Sequence, residues 1–300
     1  MNSTRTLLEG AIDYAGLFPP ASLGMQAAVT NYANYIAGEH AGLLGRFVVP
    51  VRRLSEFEDA ADKLLPRGNP VYPWRLSAII GNDLLTELDE ILDFNRFHAR
   101  DEQAGAAVVD TVEMKVETVS NIQRAMYLIP RTLTTYFEIP ITTNPAALIE
   151  AIGLARARAK VRTGGLTANA FPSLPDLARF LCLCAEGRVP FKATAGLHHA
   201  LRGSYRLTYE PDTDSATMNG FLNVLLAMAF ARFDFSDTEL EELLVESSPT
   251  AFIFDEEGVQ WRRHRLTRDQ LELARRQIGM AFGSCSFEEP VKELQALKLL

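Results

Sequence analysis

Two short segments carry lysine side chains at the ends of predicted strands, where they could act together in chemistry. The first segment contains Lys160 and Arg162. The second contains Lys192 and Thr194. Both alternate apolar and polar residues and then run into glycine, which is typical of a strand that ends in a tight loop. Because side chains alternate along a strand, each pair shares one face, and a helical pattern between the segments predicts two parallel strands.

Neighbouring parallel strands would bring three cations into a small volume. Burying an unpaired ammonium group is costly, so a purely structural role rarely explains such an arrangement. A nearby positive charge and desolvation both lower the pKa of a lysine, which makes a neutral, nucleophilic amine available. The alternative is a buried ion-pair layer in which Glu113 and Glu138 satisfy the lysines. The residues alone do not favour one interpretation over the other.

Composition narrows the class of protein. The chain has 300 residues, of which 47% are hydrophobic and 23% charged, as in ordinary globular proteins. A net charge of -8 argues against general binding of nucleic acid or of an anionic membrane surface. No apolar run reaches the roughly 18 residues that a membrane span requires, so a cytoplasmic location is the default expectation. The three cysteines have no repeated Cys-x-x-Cys spacing, and neither a disulfide framework nor a structural zinc site is expected.

Strand and helix patterns alternate strictly along about the first two hundred residues. This alternation predicts a parallel sheet covered by helices, and at this length a single (β/α)8 barrel domain over 1–300. No glycine-rich nucleotide-binding loop follows an early strand, which makes a nucleotide-binding sheet less favoured. The strand–helix alternation stops over 200–267, which we interpret as an insertion between strands seven and eight. A hairpin is predicted near its end, at 250–266. A lid and a homo-oligomer contact are both open roles for the insertion. The eighth strand is predicted within 280–286.

The strand ends carry a series of short motifs in a fixed order. They are Ile12-Asp13 followed by Leu17 and Pro19, Glu113 before Met114, Lys160 with Thr163 and Gly164, Lys192 with Ala193 and Gly196, and the run from Phe282 to Ser286. In this order and position the chain resembles class I aldolases of the deoxyribose-phosphate aldolase type, which are (β/α)8 barrels. It departs from them at His198-His199 and in its longer insertion. The resemblance supports the fold more than the substrate.

The resemblance implies an aldolase or lyase that forms a lysine imine with a small carbonyl substrate, with or without a phosphate group. Lys160 would be the nucleophile, Lys192 the cation that disfavours its charged form, and a glutamate the proton carrier. Because a carboxylate within about 4–6 Å favours the ammonium form, this role requires the carboxylates to lie nearer Lys192 than Lys160. The predicted catalytic residues are Lys160, Lys192, Glu113, Glu138, Asp13 and Arg162.

Glycine-containing loops at three strand ends predict a site for a phosphate or carboxylate group. Backbone amides of neighbouring loops would form a concave set of donors. The alternative is that these glycines only permit tight turns. The residues predicted to bind substrate or anion are Thr163, Gly164, Gly165, Thr194, Gly196, His198, His199, Gly283 and Ser284.

Three other functions stay open. The same lysines could stabilise an enolate while a glutamate abstracts a proton, as in an isomerase. Metal-dependent cleavage could use His198 or His199 with Glu138 or Asp13. Adjacent strand histidines point to opposite sides, so they chelate less well than His-x-His, and no metal or other cofactor is predicted. A barrel that binds ligands without catalysis would be expected to lose its charged lumen, which this chain keeps.

Overall fold

The chain forms a closed barrel of eight parallel strands, as the alternating sequence pattern predicts. This computed structural model describes residues 3–68, 72–100, 104–233, 235–279 and 281–300. In chain order the strands are β1 (Ile12–Tyr14), β2 (Leu44–Pro50), β3 (Trp74–Ile79), β4 (Ala107–Lys115), β5 (Thr134–Glu138), β6 (Arg158–Arg162), β7 (Phe191–Thr194), β8 (Gly203–Arg206), β9 (Ser215–Met218), β10 (Phe252–Phe254), β11 (Gly258–Trp261), β12 (His264–Thr267) and β13 (Ala281–Ser284). Around the barrel the order is β1, β13, β7, β6, β5, β4, β3, β2, which confirms the predicted (β/α)8 fold.

Helices surround the barrel. Those of the described residues are α1 (Ser3–Leu8), α2 (Met25–Ala37), α3 (Leu54–Ala61), α4 (Leu84–Arg100), α5 (Val119–Leu128), α6 (Ala146–Leu154), α7 (Leu174–Glu186), α8 (Phe221–Ala231), α9 (Asp237–Leu244), α10 (Arg268–Ile278) and α11 (Glu288–Ala296). No described helix has both the length and the apolar character needed to cross a bilayer.

Helix α7 connects β6 and β7, the two strands that carry Lys160 and Lys192, and its start and its buried face follow from the sequence. Ser173 caps α7, because its side chain accepts a hydrogen bond from the backbone N–H of Asp176. Of the apolar side chains at helical spacing, Leu177, Phe180, Leu181 and Cys184 are buried and Leu174 is half-buried. Helix α7 therefore packs one face inward and returns the chain to the same end of the barrel, so that β6 and β7 run parallel.

The register of these strands brings the charged residues together. Lys160 pairs with Lys192 across β6 and β7, and Glu138 pairs with Lys160 across β5 and β6. On the other side of β7, Thr194 pairs with Gly283 of β13. Met280, which the prediction included in the eighth strand, lies outside the described residues. The four strands β5, β6, β7 and β13 are consecutive in the barrel wall, so their ends share one rim.

Within the described residues, five short strands and two α-helices lie between β7 and α10. Strands β8 and β9 form an antiparallel hairpin, and α8, which is buried along nearly its whole length, contacts α7, α9 and α10. The hairpin predicted over 250–266 is present as the antiparallel pair of β10 and β11, and β12 extends it to a three-stranded antiparallel sheet. Arg262 at φ +52° starts a two-residue turn between Trp261 and His264, without the glycine or asparagine that usually marks such turns.

Candidate active site

Buried charged side chains fill the centre of the barrel lumen. Asp13, Glu113, Lys160 and Lys192 are each no more than 5% exposed, and Glu138 is 8% exposed. They come from β1, β4, β6, β7 and β5, so five strands contribute one residue each. The sequence predicted all five as catalytic residues, and the structure brings them into one connected cluster of ion pairs.

Glu113 links the two lysines. Its Oε1 lies 2.5 Å from Lys192 Nζ and accepts a 2.5 Å hydrogen bond from Ser77 Oγ, while its Oε2 lies 2.8 Å from Lys160 Nζ. Burial alone would raise the pKa of Glu113. The positive charges of Lys160 and Lys192 and their hydrogen bonds outweigh that effect and hold the pKa well below its ordinary value. Glu113 is therefore an ionised, fully bonded carboxylate at neutral pH.

Lys192 is the more deeply enclosed of the two lysines. Its Nζ lies 2.6 Å from Asp13 Oδ2, and the other Asp13 oxygen accepts a 2.6 Å hydrogen bond from the backbone N–H of Arg46. Burial alone would lower the pKa of Lys192, but the charges of Asp13 and Glu113 outweigh it and raise the pKa above its usual range. Lys192 therefore stays an ammonium ion at neutral pH.

Lys160 lies between Glu113 and Glu138. Its Nζ is 2.8 Å from Glu113 Oε2 and 2.9 Å from Glu138 Oε2, and it is 5% exposed where Lys192 is 1% exposed. The imine role requires the carboxylates to lie nearer Lys192. The structure does not show this arrangement, because Glu113 contacts both lysines, at 2.5 Å from Lys192 and 2.8 Å from Lys160, and Glu138 contacts Lys160.

A cavity of about 830 Å³ opens above this cluster at the carboxyl ends of the barrel strands. Most of the predicted site residues line it: Glu113, Glu138, Lys160, Arg162, Gly165, Lys192, Thr194, Gly196, His198, His199 and Gly283. Asp13, Thr163, Gly164 and Ser284 lie behind this surface. Enzymes with this fold hold their reacting groups at this end of the barrel, because the loops that follow the strands surround it.

The glycine loops after β6 and β7 are in direct contact. A Cβ atom at Gly196 would lie 2.9 Å from the Cα atom of Gly164, and Gly196 has φ +71°. Thr163, which the sequence predicted as a ligand-binding residue, donates from Oγ1 to the carbonyl oxygen of Ala195 at 2.7 Å and holds these two loops together. On the far side of β7, a Cβ atom at Gly283 would lie 3.3 Å from Thr194 Oγ1. The loops predicted to form an anion site are therefore neighbours.

Gly196→Ala is expected to lower the free energy of unfolding by about 2 to 4 kcal/mol, because a positive φ and a clash with the Gly164 backbone act together. Gly10→Ala is the matched control. Gly10 has φ +58° but nothing within 4 Å of an added Cβ atom, so only the backbone strain of about 1 kcal/mol applies. Urea unfolding at neutral pH measures both. Equal losses in the two variants would contradict the close approach of the loops.

The adjacent histidines point to different partners. His198 Nδ1 lies 3.2 Å from Ser284 Oγ, and His199 Nδ1 lies 2.5 Å from Glu293 Oε1. Burial, followed by the charge of His199, lowers the pKa of His198 to about 4, so its imidazole is neutral at neutral pH. Among the described residues, no group of three or more His, Cys, Asp or Glu side chains is arranged to hold a metal ion.

Sequence reasoning missed several polar residues of the site. Ser77 is fully buried in β3, where a serine among apolar residues was its only signal. Tyr209 lies in the insertion after β8, and its hydroxyl donates to Glu289 Oε2 at 3.0 Å and lies 3.6 Å from Cys285 Sγ. Pairing across 80 residues of chain leaves no periodic pattern in the sequence, so this contact could be found only in three dimensions.

Comparison of the sequence with models of known protein families finds no match, and comparison with curated proteins finds none either. The resemblance to class I aldolases therefore depends on the strand-end motifs alone.

Proposed function

We propose that this chain is an aldolase-like lyase that forms an imine between Lys160 and a carbonyl substrate. The observation that carries the proposal is Lys160 itself. Its Nζ is buried and lines a large cavity, it lies 2.9 Å from Glu138 as a proton acceptor, and it shares Glu113 with the Lys192 ammonium group. A lysine beside a second ammonium group and a proton acceptor is the arrangement that imine chemistry needs.

Glu138 is the proposed proton carrier, because it contacts Lys160 at 2.9 Å and is the more exposed of the two carboxylates. Lys160 first transfers a proton to Glu138, and the neutral amine then attacks the carbonyl carbon. The adduct gains a proton on its oxygen and loses one from its nitrogen, giving a carbinolamine. Protonated Glu138 returns its proton to the hydroxyl group, which leaves as water, and the carboxylate is restored beside the iminium ion.

Lys192 supports this step without reacting. It remains an ammonium ion and contacts Glu113 at 2.5 Å. Its charge therefore partly neutralises the carboxylate that would otherwise favour the ammonium form of Lys160. Asp13 in turn holds Lys192 at 2.6 Å, which makes it a positioning residue in this proposal.

A second candidate function is enolate stabilisation without a covalent bond, as in an isomerase. The observation in its favour is that two carboxylates within 3 Å of Lys160 Nζ favour the ammonium form. As an ammonium ion, Lys160 would stabilise a developing enolate oxygen while Glu138 abstracts the proton.

Borohydride reduction in the presence of propanal, or of glycolaldehyde phosphate, is expected to attach the reduced carbonyl compound covalently to Lys160. Peptide mass mapping locates the adduct, and a sample without borohydride is the control. An adduct at Lys192 would reverse the two lysine roles. Loss of a proton from the probe without any adduct would favour the isomerase-like function.

A further inference from the structure

The hairpin of β8 and β9 (residues 203–218) forms one wall of the cavity, which we call the roof. Tyr205 of β8, Leu207 of the loop between the two strands and Met218 of β9 line the cavity directly. The Tyr205 ring stacks on His199 with 3.4 Å between ring centroids, and Tyr209 bonds to Glu289 of α11 at 3.0 Å. Two contacts on different barrel elements thus hold the roof over the lysine cluster.

The upper part of the cavity is lined by apolar side chains. On the barrel side they come from the loops after β1 and β6, and on the roof side from the insertion: Phe18, Pro19, Pro20, Leu166, Leu207 and Met218. A volume of about 830 Å³ lies within the range of sites that enclose a drug-sized ligand. A short aldehyde bound at the lysines would leave these apolar side chains in contact with water. They would then contribute nothing to its binding.

Arg162 supplies an uncompensated cation at the rim. It lies on the same face of β6 as Lys160, and two residues of strand place it roughly 7 Å further towards the opening. Its side chain is exposed and lines the cavity, and it makes no ion pair with the described residues. Among the described residues, five cationic side chains line the cavity against three carboxylates, with Asp13 behind Lys192 as a fourth, although the chain carries a net charge of -8. This local excess of positive charge favours an anionic ligand.

The geometry points to an amphipathic substrate: a carbonyl compound with an aromatic or long aliphatic body under the β8–β9 hairpin and a carboxylate or phosphate group held by Arg162. The carbonyl group follows from the proposed imine function. The apolar body and the acidic group follow from the roof and from Arg162, so they can be tested with ligands that have no carbonyl group.

Isothermal titration calorimetry with 4-phenylbutyrate, butyrate and 4-phenylbutan-1-ol tests both features. The dissociation constant of 4-phenylbutyrate is expected to be lower than that of butyrate by about tenfold or more, because the phenyl ring is buried. It is expected to be lower than that of the alcohol by about tenfold, because a charge-assisted hydrogen bond is gained. Adding 2-phenylethyl phosphate shows which acidic group the site prefers.

Arg162→Gln is expected to remove the difference between 4-phenylbutyrate and the alcohol while leaving the affinity for the alcohol unchanged. Arg131→Gln, at an exposed arginine outside the cavity, is the matched control and is expected to bind all probes as the parent protein does. Butyrate binding as tightly as 4-phenylbutyrate, equal binding of acid and alcohol, or no binding of 4-phenylbutyrate at millimolar concentration would each overturn the inference. Borohydride trapping does not enter this test, so failure of the imine proposal is seen separately.

Discussion

Lys160→Met is expected to slow the exchange of the α-protons of propanal for deuterium by about 10³-fold or more, because methionine cannot form an imine. An iminium ion acidifies the neighbouring C–H bond, so this exchange reports the covalent intermediate even when the natural substrate is unknown. Methionine keeps a long unbranched side chain in the lumen, which limits the structural change. Proton NMR in deuterium oxide follows the exchange directly.

Two further variants separate the roles of the lysines. Lys192→Met is expected to slow exchange while still giving a borohydride adduct at Lys160, because Glu113 then contacts Lys160 alone and favours its ammonium form. Lys63→Met, at an exposed lysine after α3, serves as the unchanged reference. Exchange at the parental rate in Lys160→Met would exclude an imine at this residue.

Strand periodicity was sufficient to predict which residues meet in the lumen. Residues two apart on a strand share a face, and consecutive parallel strands lie side by side, so Glu113, Glu138, Lys160 and Lys192 had to converge once a closed barrel was assumed. Which carboxylate pairs with which lysine depends on strand register and side-chain rotamers. The spacing of the sequence does not carry that information, and the contact of Glu138 with Lys160 emerged only from the structure.

The roof of the cavity could not be predicted for a different reason. Residues 204–210 read only as a polar and aromatic stretch, and Met218 as the start of a helix, whereas the structure pairs β8 with β9 and places Met218 in β9. The stacking of Tyr205 on His199 and the hydrogen bond from Tyr209 to Glu289 both join distant parts of the chain. Side-chain patterns of period two or 3.6 describe local structure and hold no signal for such long-range contacts.

Glu113→Leu is expected to lower the free energy of unfolding at pH 7 by about 3 to 5 kcal/mol, because it leaves two buried ammonium groups with one carboxylate fewer. Glu113→Gln is the matched variant, since it keeps the shape and can still bond to Ser77 while removing the charge. The free energy of unfolding is expected to fall less in Glu113→Gln than in Glu113→Leu. Urea unfolding measures both variants against the parent protein.

The charge on Glu113 can be tested by measuring how the difference in free energy of unfolding between the parent protein and Glu113→Gln depends on pH. The pKa of Glu113 in the folded protein is held below the value of about 4.3 in an unfolded chain, so its stabilising contribution is present above pH 4.3 and is lost as the pH falls towards the folded value. The gap between the parent and Glu113→Gln should therefore narrow between pH 5 and pH 3. A gap that stays constant over this range would mean that Glu113 is not an ionised partner of the two lysines, and the buried ion-pair cluster would then need a different distribution of protons.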